Sequence, residues 1–302
     1  MKQHPKSRRR ILALAVVGAV FFAAQMKGDA QVPRDRQPRE QPVANGRPGD
    51  PLQGLTAAQL AAFNDGLTEF SSVEGPEDGL GPIFNGTSCA QCHSVPATGG
   101  SSTVTVTRFG RMVNGVFDPM TEKGGSLLQR FAIDPAAVEV VPPEANVVAQ
   151  RLSTPLFGAG LVEAIPDATI LAGARQQKPD GVRGRAALID DLATSSQKVG
   201  RFGWKAQQAT LLTFAGDAYT NEMGITNRFF PVENAPNGNR APLQHDKFAD
   251  PEDTVDPATG RSDIDSLADF MRLLGPIAAL RQSSSAAEVH PRPLWSRCRR
   301  WA

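Results

Sequence analysis

The chain has 302 residues, 40% of them hydrophobic, with 32 basic and 31 acidic side chains and a formal net charge of +1. That is enough apolar material for one large or two ordinary domains, and it excludes a wholly disordered chain. The charge is uneven: residues 51–280 carry 17 Lys and Arg against 26 Asp and Glu, a balance of −9, which argues against a nucleic-acid partner and favours a basic one.

Lys2, Lys6 and Arg8 to Arg10 precede the 14-residue apolar run Ile11 to Ala24, which predicts an export signal over residues 1–30. The run is too short to span a bilayer comfortably. Gly28-Asp29-Ala30 suits cleavage before Gln31, and the alternative is an uncleaved N-terminal anchor, the one membrane contact expected. The protein is therefore expected in the periplasm or otherwise exported. "SRRRIL" has a twin-arginine look in so basic a run. Residues 31–51 are Pro-rich and charged, the composition of a disordered linker.

The folded region is expected over residues 52–280. Thr56 and Gln59 stand in capping-box spacing, and Leu60, Phe63, Leu67 and Phe70 repeat on one face, which predicts an amphipathic helix of about four turns. The helix leads towards "GLGPIFNGTSCAQCHSVPATGG", Gly79 to Gly100, whose Cys89, Cys92 and His93 form Cys-x-x-Cys-His. A zinc site lacks its second half, since Cys298, His245 and His290 lie far downstream. A thioredoxin-like dithiol lacks the preceding strand, and a plain disulfide remains the simple alternative. Covalent haem explains all three residues: two thiols add across the vinyl groups, and His93 ligates the iron as proximal base. Because such haem is attached after export, the unfolded-chain export route is expected.

Further on, Val104 and Val106 alternate and Asn114-Gly115 is a type I′ turn signal, which predicts a small β-hairpin insertion. For the sixth, distal iron position the candidates are Met112, Met120, Met223 and Met271, with His245; each methionine reads equally as core filler, and Met271 has apolar neighbours at helical spacing. A thioether or second histidine there closes the iron for electron transfer, whereas an open position admits peroxide. Glu163 is the candidate acid/base for moving a proton between peroxide oxygens, or else a carboxylate that holds the following loop through backbone N–H groups. Arg151 is a candidate partner for a haem propionate or for Glu163, or a surface arginine. Asp246, Asp250, Glu252, Asp253 and Asp256 crowd one loop; calcium is conceivable, but the spacing fits no EF-hand and a solvated acidic loop is the better reading.

Five blocks in order, "GLGPIFNGTSCAQCHSVPATGG", "RLSTPLFGAGLVEAIPDATIL", "GRFGWKAQQATL", "DAYTNEMGITNRFFP" and "LADFMRLLGP", resemble the di-haem oxidoreductase family, which goes by the description putative peroxidase, or thiol oxidoreductase, and is distantly similar to bacterial di-haem cytochrome c peroxidases. The resemblance covers about residues 52–280. It implies a mainly α fold of two cytochrome c-like domains with one haem c each, a redox partner protein, and a small oxidant such as peroxide reduced at one haem with electrons entering at the other. Trp204, in "GRFGWKAQQATL", is then a candidate on the electron path, or a large core residue. After "DFMRLLGP" the family continues into a second Cys-x-x-Cys-His domain, whereas residues 281–302 here show no helical or strand period. The expectation is a cytochrome c-like haem domain truncated relative to the two-domain architecture, with 281–302 a frame-shifted or genuinely disordered tail. The candidate functions are three: an exported c-type haem oxidoreductase, a single-haem electron-transfer module without substrate chemistry, and a truncated inactive product.

Overall fold

Helix α1, Ala57–Ser71, begins as its sequence dictates: the Thr56 hydroxyl accepts from the Gln59 N–H at 3.2 Å and the Gln59 side chain accepts from the Thr56 N–H at 2.9 Å, which satisfies two donors that a helix start leaves orphaned. Phe63 and Phe70 are buried and Leu67 is partly so, but Leu60 at the N-terminal end of the stripe is exposed. The computed structural model describes residues 46–178, 181–245, 247–248, 252 and 255–277. Residues 1–41 and 42–302 separate into two units, and every described residue belongs to the second. The export signal, most of the linker, Cys298 and the tail 281–302 lie outside the described residues.

After α1 come β1 (Ile83–Phe84) and a four-residue helical turn, α2 (Cys89–Cys92). Next are β2 (Thr105–Val113), β3 (Val116–Asp118), β4 (Leu127–Leu128), β5 (Phe131–Ala132) and β6 (Val147–Leu152). Two short helices, α3 (Ala159–Glu163) and α4 (Asp167–Arg175), lead to the hairpin β7 (Leu188–Asp191) and β8 (Ser196–Val199). Helix α5 (Leu211–Ala218) runs directly into a π-helical turn, Tyr219–Met223, and α6 (Asp263–Leu273) closes the described chain.

The expectation of a mainly α, cytochrome c-like domain with a small hairpin insertion is overturned. The described residues form a mixed α and β structure whose middle is a four-stranded antiparallel sheet, with two further two-stranded sheets. The predicted turn is present, with Asn114 at φ 51° and Gly115 at φ 79° joining β2 to β3 in the register Val113↔Val116, but the hairpin is only one edge. β2 also pairs with β4 and, over six residues from Thr105↔Leu152 to Gly110↔Val147, with β6. β-branched residues recur along β2 and open β6, and such side chains fit a pleated, half-buried surface better than a helix.

The core lies where α1, α5 and α6 meet. Phe63 and Phe70 of α1 pack on Phe270 of α6, with ring centroids 5.4 and 4.7 Å apart. Truncating one such buried ring to alanine costs about 3–5 kcal/mol. The helices approach so closely that a Cβ on Gly66 would lie 2.3 Å from the Ser266 carbonyl oxygen; only glycine fits there. The α6 start is fixed by Asp265, which accepts from the Ser262 N–H at 3.0 Å and pairs with Arg228 at 2.8 Å. The end of α6 holds the segment before α1: the Leu52 N–H donates to the Leu273 carbonyl at 2.7 Å and the Gly275 N–H to the Asp50 carbonyl at 2.9 Å. No described helix is long and apolar enough to cross a membrane.

Candidate functional site

The loop after β1 leads into α2, so Cys89 and Cys92 sit at the two ends of one helical turn with His93 directly after it. Both thiols are free and half-buried. Burial, followed by the Glu69 and Glu74 carboxylates, pushes the Cys89 thiol up to about 12, and burial also raises Cys92. Both therefore stay protonated near neutrality. The Cys92 carbonyl accepts a hydrogen bond from the Ser153 hydroxyl, just past β6, tying the turn to the sheet.

His93 Nδ1 lies 2.9 Å from the Gly100 carbonyl. Since a carbonyl only accepts, Nδ1 carries the proton and Nε2 holds the lone pair in the neutral ring. Burial lowers the His93 pKa, opposed by the Gly100 and Thr154 backbone carbonyls, so the ring is neutral at pH 7. The Phe70 ring stands edge-on to the imidazole, with centroids 6.0 Å apart at 67°. A neutral imidazole with one nitrogen pinned is the form that binds a metal, and the pinned nitrogen sets its orientation.

These residues line a cavity of about 270 Å³. One wall is the sheet, which presents Val106, Arg108 and Arg151; the Val106↔Arg151 register puts all three on one face. The other wall is the run from α5 through the π turn, which supplies Asp217, Tyr219, Asn221, Glu222 and Met223, with Met271 from α6. A π turn widens the helix by one residue and re-aims the side chains beyond it, and such turns concentrate at functional sites. It ends at Gly224, φ 74°, where an added Cβ would lie 2.5 Å from the Gly81 carbonyl oxygen.

Charge inside the cavity is unevenly met. The Arg108 Nε is buried with no hydrogen-bond partner, although a buried donor of this kind normally has one. Glu222 accepts from the Asn85 side-chain amide at 2.9 Å, and burial raises its carboxyl pKa. Asp217 is raised by burial too, opposed by Gln208 and by the Arg108 charge. Arg151 lies over the Trp204 ring, 5.3 Å from its centroid, and Trp204 is 58% exposed.

Of the residues the sequence singles out, the cavity brings together Cys89, Cys92, His93, Arg151, Trp204, Met223 and Met271. Met271 is also core, packed in the cluster of Phe63 and Phe270. Glu163 stands elsewhere: its carboxylate accepts from Arg272 at 2.7 Å and from the Leu211 N–H at 2.7 Å, at the start of α5. Met112 is exposed on β2, Met120 is fully buried away from the cavity, and His245 pairs with Asp134 at 3.2 Å. In the acidic loop, Glu252 and Asp256 are described, and no described group of three or more His, Cys, Asp or Glu is arranged for a metal ion. Sequence reasoning passed over Arg108, Asn85, Asp217, Tyr219 and Glu222. Glu222 directly precedes Met223 in "DAYTNEMG", and that adjacency is the signal that was there to use.

Residues 143–279 match the family model described as di-haem oxidoreductase, putative peroxidase. No curated protein and no solved structure matches the chain. The matched stretch runs from just before β6 to just past α6, so it contains Arg151, Trp204, Glu222, Met223 and Met271, while the Cys89 to His93 turn precedes it. Over residues 143–279, just under half of its length, this chain is therefore similar to the di-haem oxidoreductases, and that description names an oxidoreductase of the peroxidase kind.

Proposed function

We propose that the chain is an exported c-type haem oxidoreductase with peroxidase-like electron transfer, in which Cys89 and Cys92 tether one haem and His93 is its proximal ligand. The observation that carries the reading is the single cavity gathering both thiols, the imidazole and two arginines. The residues present fit a haem. The partnerless Arg108 Nε calls for an anion, Arg151 stands on the same sheet face, and haem carries two propionates. Val104, Val106, Leu152 and Leu156 offer apolar wall for a flat macrocycle.

When bound, haem supplies reversible one-electron chemistry at its iron. The chain supplies the rest. His93 presents Nε2 because Nδ1 is held by Gly100. Glu222, kept in a protonatable range by burial and oriented by Asn85, holds a proton at its carboxyl oxygen for the leaving oxygen of a peroxide. Trp204 extends from the cavity to solvent under Arg151 and offers an electron port to a partner protein. The acidic body favours a basic electron donor.

A second reading is a closed electron-transfer module, favoured by Met223 and Met271, two buried thioethers on the cavity wall. The test is a pyridine haemochrome assay with mass spectrometry on chain co-expressed with a haem-attachment system. One covalent haem supports the reading, and none in well-folded protein overturns it. A haem spectrum unchanged by peroxide then selects the second.

A further inference from the structure

We propose that Tyr219 and Glu69 form the route by which protons from solvent enter the cavity. Tyr219 is the only tyrosine of the chain. It is 4% exposed, lines the cavity from the first position of the π turn, and its hydroxyl donates to Glu69 Oε1 at 3.3 Å. Glu69 is half-buried near the end of α1, so the pair spans from the cavity wall to the protein surface.

The surroundings suit proton traffic. The titratable groups that bear on this pair are all acids, with no cation among them: Glu74 and Asp263 beside Glu69, Asp78 beside Glu74, and Glu252 and the Cys89 thiol facing Tyr219. Burial, then Asp263, raises the Glu69 carboxyl above the ordinary range, opposed by the Tyr219 hydrogen bond, and Glu74 next to it is pushed up to about 7. Carboxyl groups so placed load and release protons closer to neutral pH than free ones do.

The inference rests on the haem reading, because protons are needed there only if an oxidant is reduced. Reducing a hydroperoxide to an alcohol and water breaks the O–O bond and consumes two electrons, from the partner protein, and two protons. For each proton, the Tyr219 O–H bond breaks as its hydrogen passes into the cavity, a new O–H forms when Glu69 gives up its acid proton to that oxygen, and Glu69 is reprotonated from water. The tyrosine hydroxyl must rotate between the two directions, and its ring stays neutral throughout.

The test uses the haem-loaded chain and the variants Glu69→Gln and Tyr219→Phe, the second keeping the buried ring. Haem content is checked first. In the infrared difference spectrum between oxidised and reduced protein, the expected result is a carboxylic-acid carbonyl band that Glu69→Gln removes and Tyr219→Phe displaces. Peroxide consumption should fall about a hundredfold in both variants at unchanged haem content. A haem-loaded wild type with no band removed by Glu69→Gln overturns the relay and leaves the haem reading standing, as do variants that consume peroxide at the wild-type rate. Well-folded chain without covalent haem overturns both. Where no peroxide is consumed, the infrared result decides alone.

Discussion

Arg108 gives the sharpest test of what the cavity is shaped to hold. Its buried Nε finds no hydrogen-bond partner among the described protein groups, and leaving such a donor unsatisfied costs about 1–3 kcal/mol. A hydrogen bond to a charged group contributes about 1.5–3 kcal/mol, so a propionate in reach turns a cost into a gain. Arg108→Met keeps the length of the stem and deletes the charge. In haem-loaded chain the variant should lose about 1.5–3 kcal/mol, which for a region of this size corresponds to a thermal midpoint lower by about 3–12 °C. In haem-free chain the orphaned donor is removed, but so is the cation beside Glu222 and Asp217, and these opposing changes leave a much smaller shift. Differential scanning calorimetry on both forms reads the contrast. An equal drop in both would refute the reasoning, and would make Arg108 a counter-ion for the two carboxylates and no more.

Three further outcomes are expected. Gly66→Ala forces a methyl against the Ser266 carbonyl where α1 crosses α6, and should cost about 1–3 kcal/mol in urea unfolding. Glu163→Ala removes the partner of Arg272 and of the Leu211 N–H; because the pair is partly exposed, the cost should be about 1–2 kcal/mol, with haem content and spectrum unchanged. Glu74 is raised from 4.5 to about 7 by burial and then by Glu69, Asp78 and Asp263, so the folded chain binds its proton more tightly than the unfolded one. The stability it contributes is full below pH 4.5 and lost as pH rises through 7. Glu74→Gln should flatten the fall in thermal midpoint between about pH 5 and pH 8; an unchanged slope would show that Glu74 is not the group responsible.

Local signals in the sequence transferred well to the structure. The α1 cap and the Asn114-Gly115 turn both depend on residues within a few positions of one another. The sheet depended on partners far apart. Val147 to Leu152 carries no strong alternation, and its strand exists because it pairs with Thr105 to Gly110 some forty residues earlier; nothing in either segment alone announces the other. The carboxylate of the cavity was misplaced for a similar reason. Glu163 and Glu222 look alike in sequence, and what separates them is that one meets Arg272 while the other is turned inward by a π turn that local propensity does not foretell. Met271 shows that core and cavity wall are not alternatives, since one side chain serves both.

The π turn also makes the cavity sensitive to a kind of change that substitution scanning never samples. Tyr219 to Met223 completes in five residues a turn that the preceding helix completes in fewer, so it acts as a phase shift between α5 and everything after it. Excising one residue there would restore the ordinary helical period and swing each later side chain by about 100°. The Glu222 carboxylate and the Met223 sulfur would leave the cavity together, while composition, hydropathy and nearly every residue identity stayed the same. A lineage could thus gain or lose this chemistry through a single codon insertion or deletion, and relatives that differ in length at this point deserve to be treated as different sites.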